Sequence, residues 1–277
     1  MVIAGLLLDM PKREKYEKRY TIGIDEVGRG ALAGPVTVAA ILLPQNFSMK
    51  IRVYPRLNPR ISASAKLRDS KKLSPRQREL WFQYITQTNT NETRTNTDGQ
   101  RQFVLRRRPT KPVSSLSRND ARRLLRGPRQ SAIYYAVASV SPKVIDKIGI
   151  SNAANLAASR ATAKLLQYLT IVNYNSKIGI KIFLDGGLYL DKNISVNQRT
   201  HPRLSASTII KGDEKVPAIM LASIIAKVTR DRFMLKLHKK YPQYGFDKHK
   251  GYGTKFHIKA IKKFGLSPIH RQTFKIN

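Results

Sequence analysis

The sequence predicts an α/β fold in which a mixed β-sheet is flanked by helices. Two runs rich in β-forming residues, 20–25 and 37–43, are joined through a glycine-rich turn and indicate neighbouring strands. Farther along, short β-rich runs alternate with helical patterns, which is typical of mixed α/β sheets. With 277 residues, of which 41% are hydrophobic, the chain is long enough to bury a sizeable core.

The other elements follow from local signals in chain order. Ser74, Pro75 and Gln77 form a capping-box pattern, which predicts a helix through about residue 85. The expected strands and helices after it are a strand at 132–141, a helix at 152–169, strands at 181–184 and 207–210, and a helix from 214 to about 240. Pro217 is compatible only with the first turn of that long helix.

The C-terminal region from about residue 241 is predicted to be small and helical. Thr254 is expected to cap its last helix, which Gly265 ends. Residues 89–130 depart from this pattern, because residues 101–130 carry ten bases against one acid. Such composition predicts a basic, mobile insertion in what is otherwise a single domain of 277 residues.

The composition of the chain restricts the functions that the protein can have. The formal net charge of +35, from 52 Lys and Arg against 17 acids, indicates a polyanionic partner such as nucleic acid. Since the chain has no cysteine, disulfides, thiolate chemistry and Cys-ligated metal centres are excluded. The apolar residues 2–8 are too short for a membrane span and do not resemble a secretory signal, so a cytoplasmic location is expected.

Four acids are placed where elements are expected to end. Asp25 and Glu26 are adjacent at the end of an apolar run, Asp185 follows the strand at 181–184, and Asp213 lies between a strand and a helix. Each alone could be a turn or N-cap residue. Together they supply enough carboxylate oxygens for two divalent cations, Mg²⁺ or Mn²⁺, at the sheet end where open α/β folds bind ligands. Such a pair could activate a water and stabilise a departing 3′ oxygen at phosphorus.

Several polar groups could hold a nucleic acid beside these acids. The spacing of Ser223, Lys227 and Arg230 puts them on one helix face, which could bind phosphates or be only a solvated stripe. Ser70 and Lys71 offer a hydroxyl and an ammonium group in a polar loop. Near the C-terminus, aromatic residues alternate with bases between glycines, and rings in such a segment can stack on a base or sugar.

Six motifs resemble, in order, those of the type 2 ribonuclease H family, and within it bacterial ribonuclease HII. They are GIDEVGRGALAGP, DSKKLSPRQRE, FLDGG, KGDEKVPAIMLASIIAKVTRDRFM, YPQYGFDKHKGYGTKFH and SPIHRQTF. The resemblance implies a ribonuclease H-like sheet, with three longer segments at 44–68, 89–130 and 188–206 that depart from the family pattern. It also implies an endoribonuclease that acts on RNA–DNA hybrids and on single ribonucleotides in duplex DNA. The enzyme would cut on the 5′ side of the ribonucleotide with two metal ions, leaving 5′-phosphate and 3′-hydroxyl ends. The protein is expected to be a monomer.

The resemblance also implies residue roles. The metal carboxylates would be Asp25, Glu26, Asp185 and Asp213. Gly28, Arg29 and Gly30 would read the 2′-hydroxyl at the RNA-to-DNA junction, and Tyr252 would stack on the following sugar. Two alternatives stay open at this point: a transposase or integrase-like DNA nuclease, and a basic hybrid-binding protein without catalysis.

Overall fold

The structure is a computed structural model that describes residues 18–45, 47, 67, 70–88, 133–172, 178–191 and 203–276. The expectation of a basic, mobile insertion at 89–130 lies outside the described residues, as do most of residues 44–68 and much of 188–206. Across the described ranges, no helix combines the length and the apolar character that a membrane span requires.

Five strands in the described ranges form one mixed sheet of order β3-β2-β1-β4-β5. Their bounds are β1 Lys18–Val27, β2 Val36–Pro44, β3 Tyr134–Val140, β4 Ile178–Asp185 and β5 Arg203–Ile209. The central strand β1 is antiparallel to β2 and parallel to β4, while β2–β3 is antiparallel and β4–β5 parallel. The predicted mixed sheet and the β1–β2 hairpin are confirmed.

Helices cover both faces of this sheet. Their bounds are α1 Pro75–Thr88, α2 Pro142–Ile148, α3 Ile150–Val172, α4 Gly212–Lys215, α5 Pro217–Lys240, α6 Phe246–His249 and α7 Lys255–Phe264, with 3₁₀ turns at Ser70–Lys72 and Pro242–Tyr244. The alanine-rich face of α3 packs on one side of the sheet, and α5 with α1 packs on the other. Alternate residues of β2 and of β3 therefore enter two separate apolar cores.

The approach of α5 to the sheet depends on Gly23. A Cβ atom built on Gly23 would lie 2.2 Å from the carbonyl carbon of Ala218 in α5. Since Gly23 has no side chain, the backbone of α5 can rest directly against β1. This close approach holds the first turns of α5 beside the strand that carries Asp25 and Glu26.

Two local predictions about helix starts are confirmed. The Gln77 side chain accepts a bond from the Ser74 N–H at 2.9 Å, and the Gln77 N–H donates to the Ser74 hydroxyl at 3.3 Å, which is the reciprocal pattern of a capping box. Thr254 accepts a bond from the His257 N–H at 3.3 Å, and the helix that it caps ends at Gly265.

The prediction of a single helix from residue 214 to about residue 240 is wrong at its start. The structure has the short α4 followed by α5, separated by Val216 in an extended conformation with φ −111° and ψ 115°. The cause is Pro217, because the proline ring disfavours the helical region for the residue before it. The helix α2 was not expected; it begins at Pro142, directly after Ser141.

The C-terminal region packs around a third apolar core and a chain of histidines. The Ser267 N–H donates to His270 Nδ1 at 2.9 Å, so a neutral His270 carries its proton on Nε2. That proton is donated to His257 Nε2 at 3.1 Å, and His257 Nδ1 donates in turn to the Tyr252 carbonyl at 2.9 Å. The arrangement requires both imidazoles to be neutral, since a second proton would set two N–H groups against each other.

Acidification should therefore destabilise the fold through His257. Burial, the largest cause, lowers the pKa of His257 from 6.5 to about 4. Between these values the unfolded chain binds a proton that the folded chain does not, so stability is full above pH 6.5 and falls as the pH drops toward 4. The unfolding free energy can be measured by urea titration at pH 8 and at pH 5. We expect it to fall less between these two pH values in His257→Asn than in the unmodified protein.

A matched control separates titration from ordinary loss of packing. The Tyr244 hydroxyl donates to the Gly265 carbonyl at 2.9 Å in the same region and has no imidazole. Tyr244→Phe should lower the unfolding free energy equally at both pH values. An unchanged pH dependence in His257→Asn would contradict the prediction.

Candidate active site

The register of the two central parallel strands brings three acids together. Ile24 in β1 pairs with Leu184 in β4, so the residues that follow them, Asp25 and Asp185, are neighbours at the same end of the sheet. Glu26 is the next residue of β1. One carboxylate oxygen from each of Asp25, Glu26 and Asp185 lies within 4.8 Å of the others.

Burial and mutual repulsion disfavour the charged forms of these acids. Asp25 is only 5% exposed, and desolvation followed by the charges of Glu26 and Asp185 raises its pKa well above the ordinary value. Desolvation is also the main reason that the pKa of Glu26 is raised, although the nearby Arg29 charge opposes it. Hydrogen bonds from Ser223 and from the Glu26 N–H, the latter 2.7 Å from Asp25 Oδ1, stabilise the ionised form of Asp25 only in part.

The three acids fit a hard divalent cation. Within the described ranges, Glu26 Oε2 is buried and has no hydrogen-bond partner. An unpaired buried carboxylate oxygen is costly unless a proton or a cation satisfies it. Oxygen ligands from carboxylates suit Mg²⁺ and Mn²⁺, so these residues could hold such an ion.

Asp213 lies next to this triad without joining it. The Gly212 N–H donates to Asp185 Oδ1 at 2.8 Å, which links the start of α4 to the end of β4. The Asp213 carboxylate is buried, and its Oδ2 accepts a bond from Lys71 Nζ at 3.0 Å. The structure thus brings three of the four expected carboxylates together and pairs the fourth with a lysine.

Ser70 contacts Ser223, which hydrogen-bonds Asp25. Their hydroxyl oxygens are 2.5 Å apart, and both side chains are buried. The Arg78 guanidinium donates to the Ser70 and Leu73 carbonyls at 2.9 and 2.6 Å, which holds the 3₁₀ turn in place. Sequence reasoning missed the role of Arg78, because nothing in the helix pattern shows that its side chain turns back to the preceding turn.

The expected phosphate-binding face on α5 requires a correction at Arg230. Its side chain is fully buried, and its nitrogens donate to the carbonyls of Ala33, Pro35 and Lys250 at 2.9 to 3.1 Å. The guanidinium is therefore engaged by backbone oxygens and not presented to a phosphate. Lys227, half-buried, pairs with Asp231 at 2.9 Å.

The turn after β1 lies between the triad and the C-terminal region. Arg29 pairs with Glu26 at 3.1 Å and donates to the Gly187 carbonyl at 3.1 Å. Ala31 forms an antiparallel bridge with Tyr252, whose ring lies 5.4 Å from the Arg230 guanidinium. The structure therefore places Gly28, Arg29, Gly30 and Tyr252 in one neighbourhood beside the acids.

Comparison with known proteins agrees with this geometry. Residues 22–277 match the family model for ribonuclease HII. The chain is 36% identical over 266 residues to the ribonuclease HII of Endomicrobium trichonymphae, covering 95% of this chain and 89% of that protein. It is also 36% identical over 268 residues to the ribonuclease HII of Acetivibrio thermocellus, covering 96% and 74% of the two chains.

A solved structure shares the fold at lower identity. The crystal structure of Bst-RNase HIII in complex with Mn²⁺ aligns with a TM-score of 0.51 at 16% identity, over 93% of this chain and 67% of that one. The family match and these relatives, together with the acids at the strand ends, define a metal-dependent endoribonuclease of the ribonuclease H class. The chain belongs to the ribonuclease HII family.

Proposed function

We propose that this ribonuclease H incises duplex DNA on the 5′ side of a single embedded ribonucleotide, in addition to cutting the RNA strand of hybrids. The observation that carries this proposal is the convergence of Asp25, Glu26 and Asp185 beside the turn of residues 28–30 that follows β1. The acids supply a site for cleavage of a phosphodiester, and the turn supplies backbone groups that can recognise a sugar.

The proposed cleavage uses four carboxylates and leaves 5′-phosphate and 3′-hydroxyl ends. Asp25, Glu26 and Asp185 would hold divalent cations, Mg²⁺ or Mn²⁺, with Asp213 completing a second position once Lys71 releases it. Two such cations supply activation of the attacking water and stabilisation of the leaving oxygen. Ser223 orients Asp25 through its hydrogen bond, and Arg29 orients Glu26 through an ion pair.

The proposed specificity depends on the 2′-hydroxyl, which distinguishes RNA from DNA at one nucleotide. Backbone groups of Gly28, Arg29 and Gly30 would read this hydroxyl, and Tyr252 would stack on the next sugar. Tyr252 is half-buried and bridged to Ala31, so its ring is held beside the turn.

The decisive experiment compares three duplexes of about 20 base pairs, long enough to hold the protein, in Mn²⁺ or Mg²⁺. One is all DNA, one contains a single ribonucleotide, and one is an RNA–DNA hybrid. We expect cleavage of the second on the 5′ side of the ribonucleotide and of the third at many positions, with no cleavage of the first. Cleavage of the hybrid alone would contradict the single-ribonucleotide activity while leaving the ribonuclease H class intact.

Removing the Tyr252 ring should affect the embedded ribonucleotide most. Only the duplex with an embedded ribonucleotide always places a DNA sugar after the junction. Tyr252→Ala should therefore lower kcat/KM on this duplex by about tenfold, as expected when a stacking interaction is removed, and should lower kcat/KM on the hybrid by less. Tyr252→Phe keeps the ring and should retain the preference. Equal reductions on both substrates would rule out a role in sensing the junction.

The basic residues between 101 and 130 should raise affinity without taking part in catalysis. Their sequence carries ten bases against one acid. Replacing the ten bases by glutamine keeps the length and should flatten the dependence of log K on log salt concentration, by roughly 0.9 for each duplex phosphate that is no longer neutralised. The rate at saturating substrate should stay unchanged. An unaltered salt slope would show that these bases do not bind the duplex.

A further inference from the structure

Two fully buried arginines lie under the turn that follows β1. Arg230 is 0% exposed and Arg271 is 1% exposed, and they are the largest fully buried side chains in the described part of the chain. Arg230 comes from α5 and Arg271 from the segment after α7. Neither forms an ion pair within the described ranges, so two positive charges are held in the interior by carbonyl oxygens.

Arg271 binds the carbonyls of the turn itself. Its Nη2 nitrogen donates to the Gly28 carbonyl at 2.6 Å, and its Nη1 nitrogen donates to the Arg29 carbonyl at 2.8 Å. Its Nε and Nη2 nitrogens donate to the Gly34 carbonyl at 3.1 and 3.0 Å. One guanidinium therefore joins Gly28 and Arg29, at the start of the segment between β1 and β2, to Gly34 near its end.

Arg230 supports the same turn from α5. A Cβ atom on Gly28 would lie 2.2 Å from Arg230 Nε, so the Gly28 backbone rests on this side chain. Gly28 also has a φ of 89°, which residues with side chains rarely adopt. The turn can follow this path only because Gly28 lacks a side chain and Arg230 fills the space beneath it.

The bonds to these carbonyls determine where the amides of the turn point. In a trans peptide the C=O of one residue and the N–H of the next point in opposite directions. With the Gly28 and Arg29 carbonyls turned inward to Arg271, the N–H groups of Arg29 and Gly30 face away from the guanidinium. Among the described residues, these two N–H groups donate no hydrogen bond to the backbone.

Arg271 is itself anchored on both sides in sequence. Its own N–H donates to the Leu32 carbonyl at 2.8 Å, and its neighbour His270 bridges to Ala33. On the other side, Asp146 in α2 accepts bonds from the Gln272 and Thr273 N–H groups, both at 3.1 Å. Burial and then the Arg230 charge lower the pKa of Arg271 to about 10, which leaves it protonated at neutral pH.

We propose that Arg271, supported by Arg230, is a positioning residue that turns the Arg29 and Gly30 amides outward to donate to the ribonucleotide 2′-hydroxyl. The inference rests on the proposed reading of that hydroxyl by the glycine turn. A lysine at position 271 can satisfy only one carbonyl direction at a time, whereas the planar guanidinium fixes three carbonyls together.

The test measures binding without cleavage, in EDTA. The Kd of the unmodified protein should be about tenfold lower for a duplex with one ribonucleotide than for the same duplex of DNA alone, as expected for a hydrogen bond to one hydroxyl. In Arg271→Lys this ratio should fall to about 1 while the Kd for DNA stays unchanged. Tyr244→Phe, which removes a buried hydrogen bond elsewhere in the C-terminal region, should keep the tenfold ratio although its melting temperature falls.

The outcomes separate this inference from the proposed function. A ratio of about 1 in the unmodified protein would overturn the reading of the hydroxyl in binding, and the inference with it. A tenfold ratio that persists in folded Arg271→Lys would overturn the inference alone. If Arg271→Lys does not fold, Asp146→Ala serves instead, since it releases only the segment after Arg271 and should lower the ratio about threefold; an unchanged ratio there would overturn the inference.

Discussion

Asp25→Asn is expected to abolish cleavage by the folded enzyme while its affinity for nucleic acid stays the same or rises slightly. Asp25 is the most buried member of the acidic triad, and its oxygen converges with those of Glu26 and Asp185. Removing a hydrogen-bond partner of a metal ligand already costs about 10- to 100-fold in activity, so removing a ligand should cost more than about 100-fold in kcat. Removing a negative charge that faces a polyanion favours binding.

Asp185→Asn should behave in the same way, because Asp185 ends β4 beside Asp25. A matched control is Asp191→Asn, which removes an exposed carboxylate shortly after β4 and outside the triad. The measurement is kcat on the single-ribonucleotide duplex in Mn²⁺, together with Kd for the same duplex in EDTA. Full activity in Asp25→Asn would refute the assignment of the triad as the metal site.

The triad could be predicted because its positions follow from rules that act along the chain. Asp25 and Asp185 each end an apolar run, and parallel strands end at the same edge of a sheet. The capping box and the cap of the last helix are likewise local. The break at Val216 could also have been inferred, since the restriction that Pro217 places on its neighbour depends on two residues alone.

The contacts of Arg230 and Arg271 could not be predicted from local sequence patterns. The spacing of Ser223 and Arg230 correctly puts them on related faces of one helix, but spacing does not reveal whether a face meets solvent or another segment. In the structure the turn after β1 and the segment before α7 close over Arg230 and bury it. Arg271 lies in the motif SPIHRQTF, but nothing local shows what its side chain contacts, because its partners at Gly28 and Arg29 are more than 240 residues away in sequence.

The pairing of Asp213 with Lys71 could not be predicted for the same reason, because the two residues are far apart in sequence. Each residue lies in a polar segment, and their proximity depends on how the 3₁₀ turn at Ser70–Lys72 packs against α4. A second pair, Lys72 with Glu214 at 3.0 Å, repeats the interaction one residue later. Two ion pairs therefore join this turn to α4, a relation that only the tertiary structure displays.

Gly23→Ala should destabilise the whole fold, with activity lost as a consequence of unfolding. The added Cβ would lie 2.2 Å from the Ala218 carbonyl carbon and 2.5 Å from the Ala218 oxygen and the Ile219 nitrogen, all of them backbone atoms. Because no side chain can rotate away, β1 and α5 must separate, which would displace Ser223 from Asp25. Overpacking of this kind costs about 3 kcal/mol, or a fall in melting temperature of about 10 °C for a domain of this size.

Gly30→Ala is the matched control, since a Cβ there meets nothing within 4 Å, and its melting temperature should change little. Equal melting temperatures for the two variants would show that α5 does not rest on β1 through Gly23.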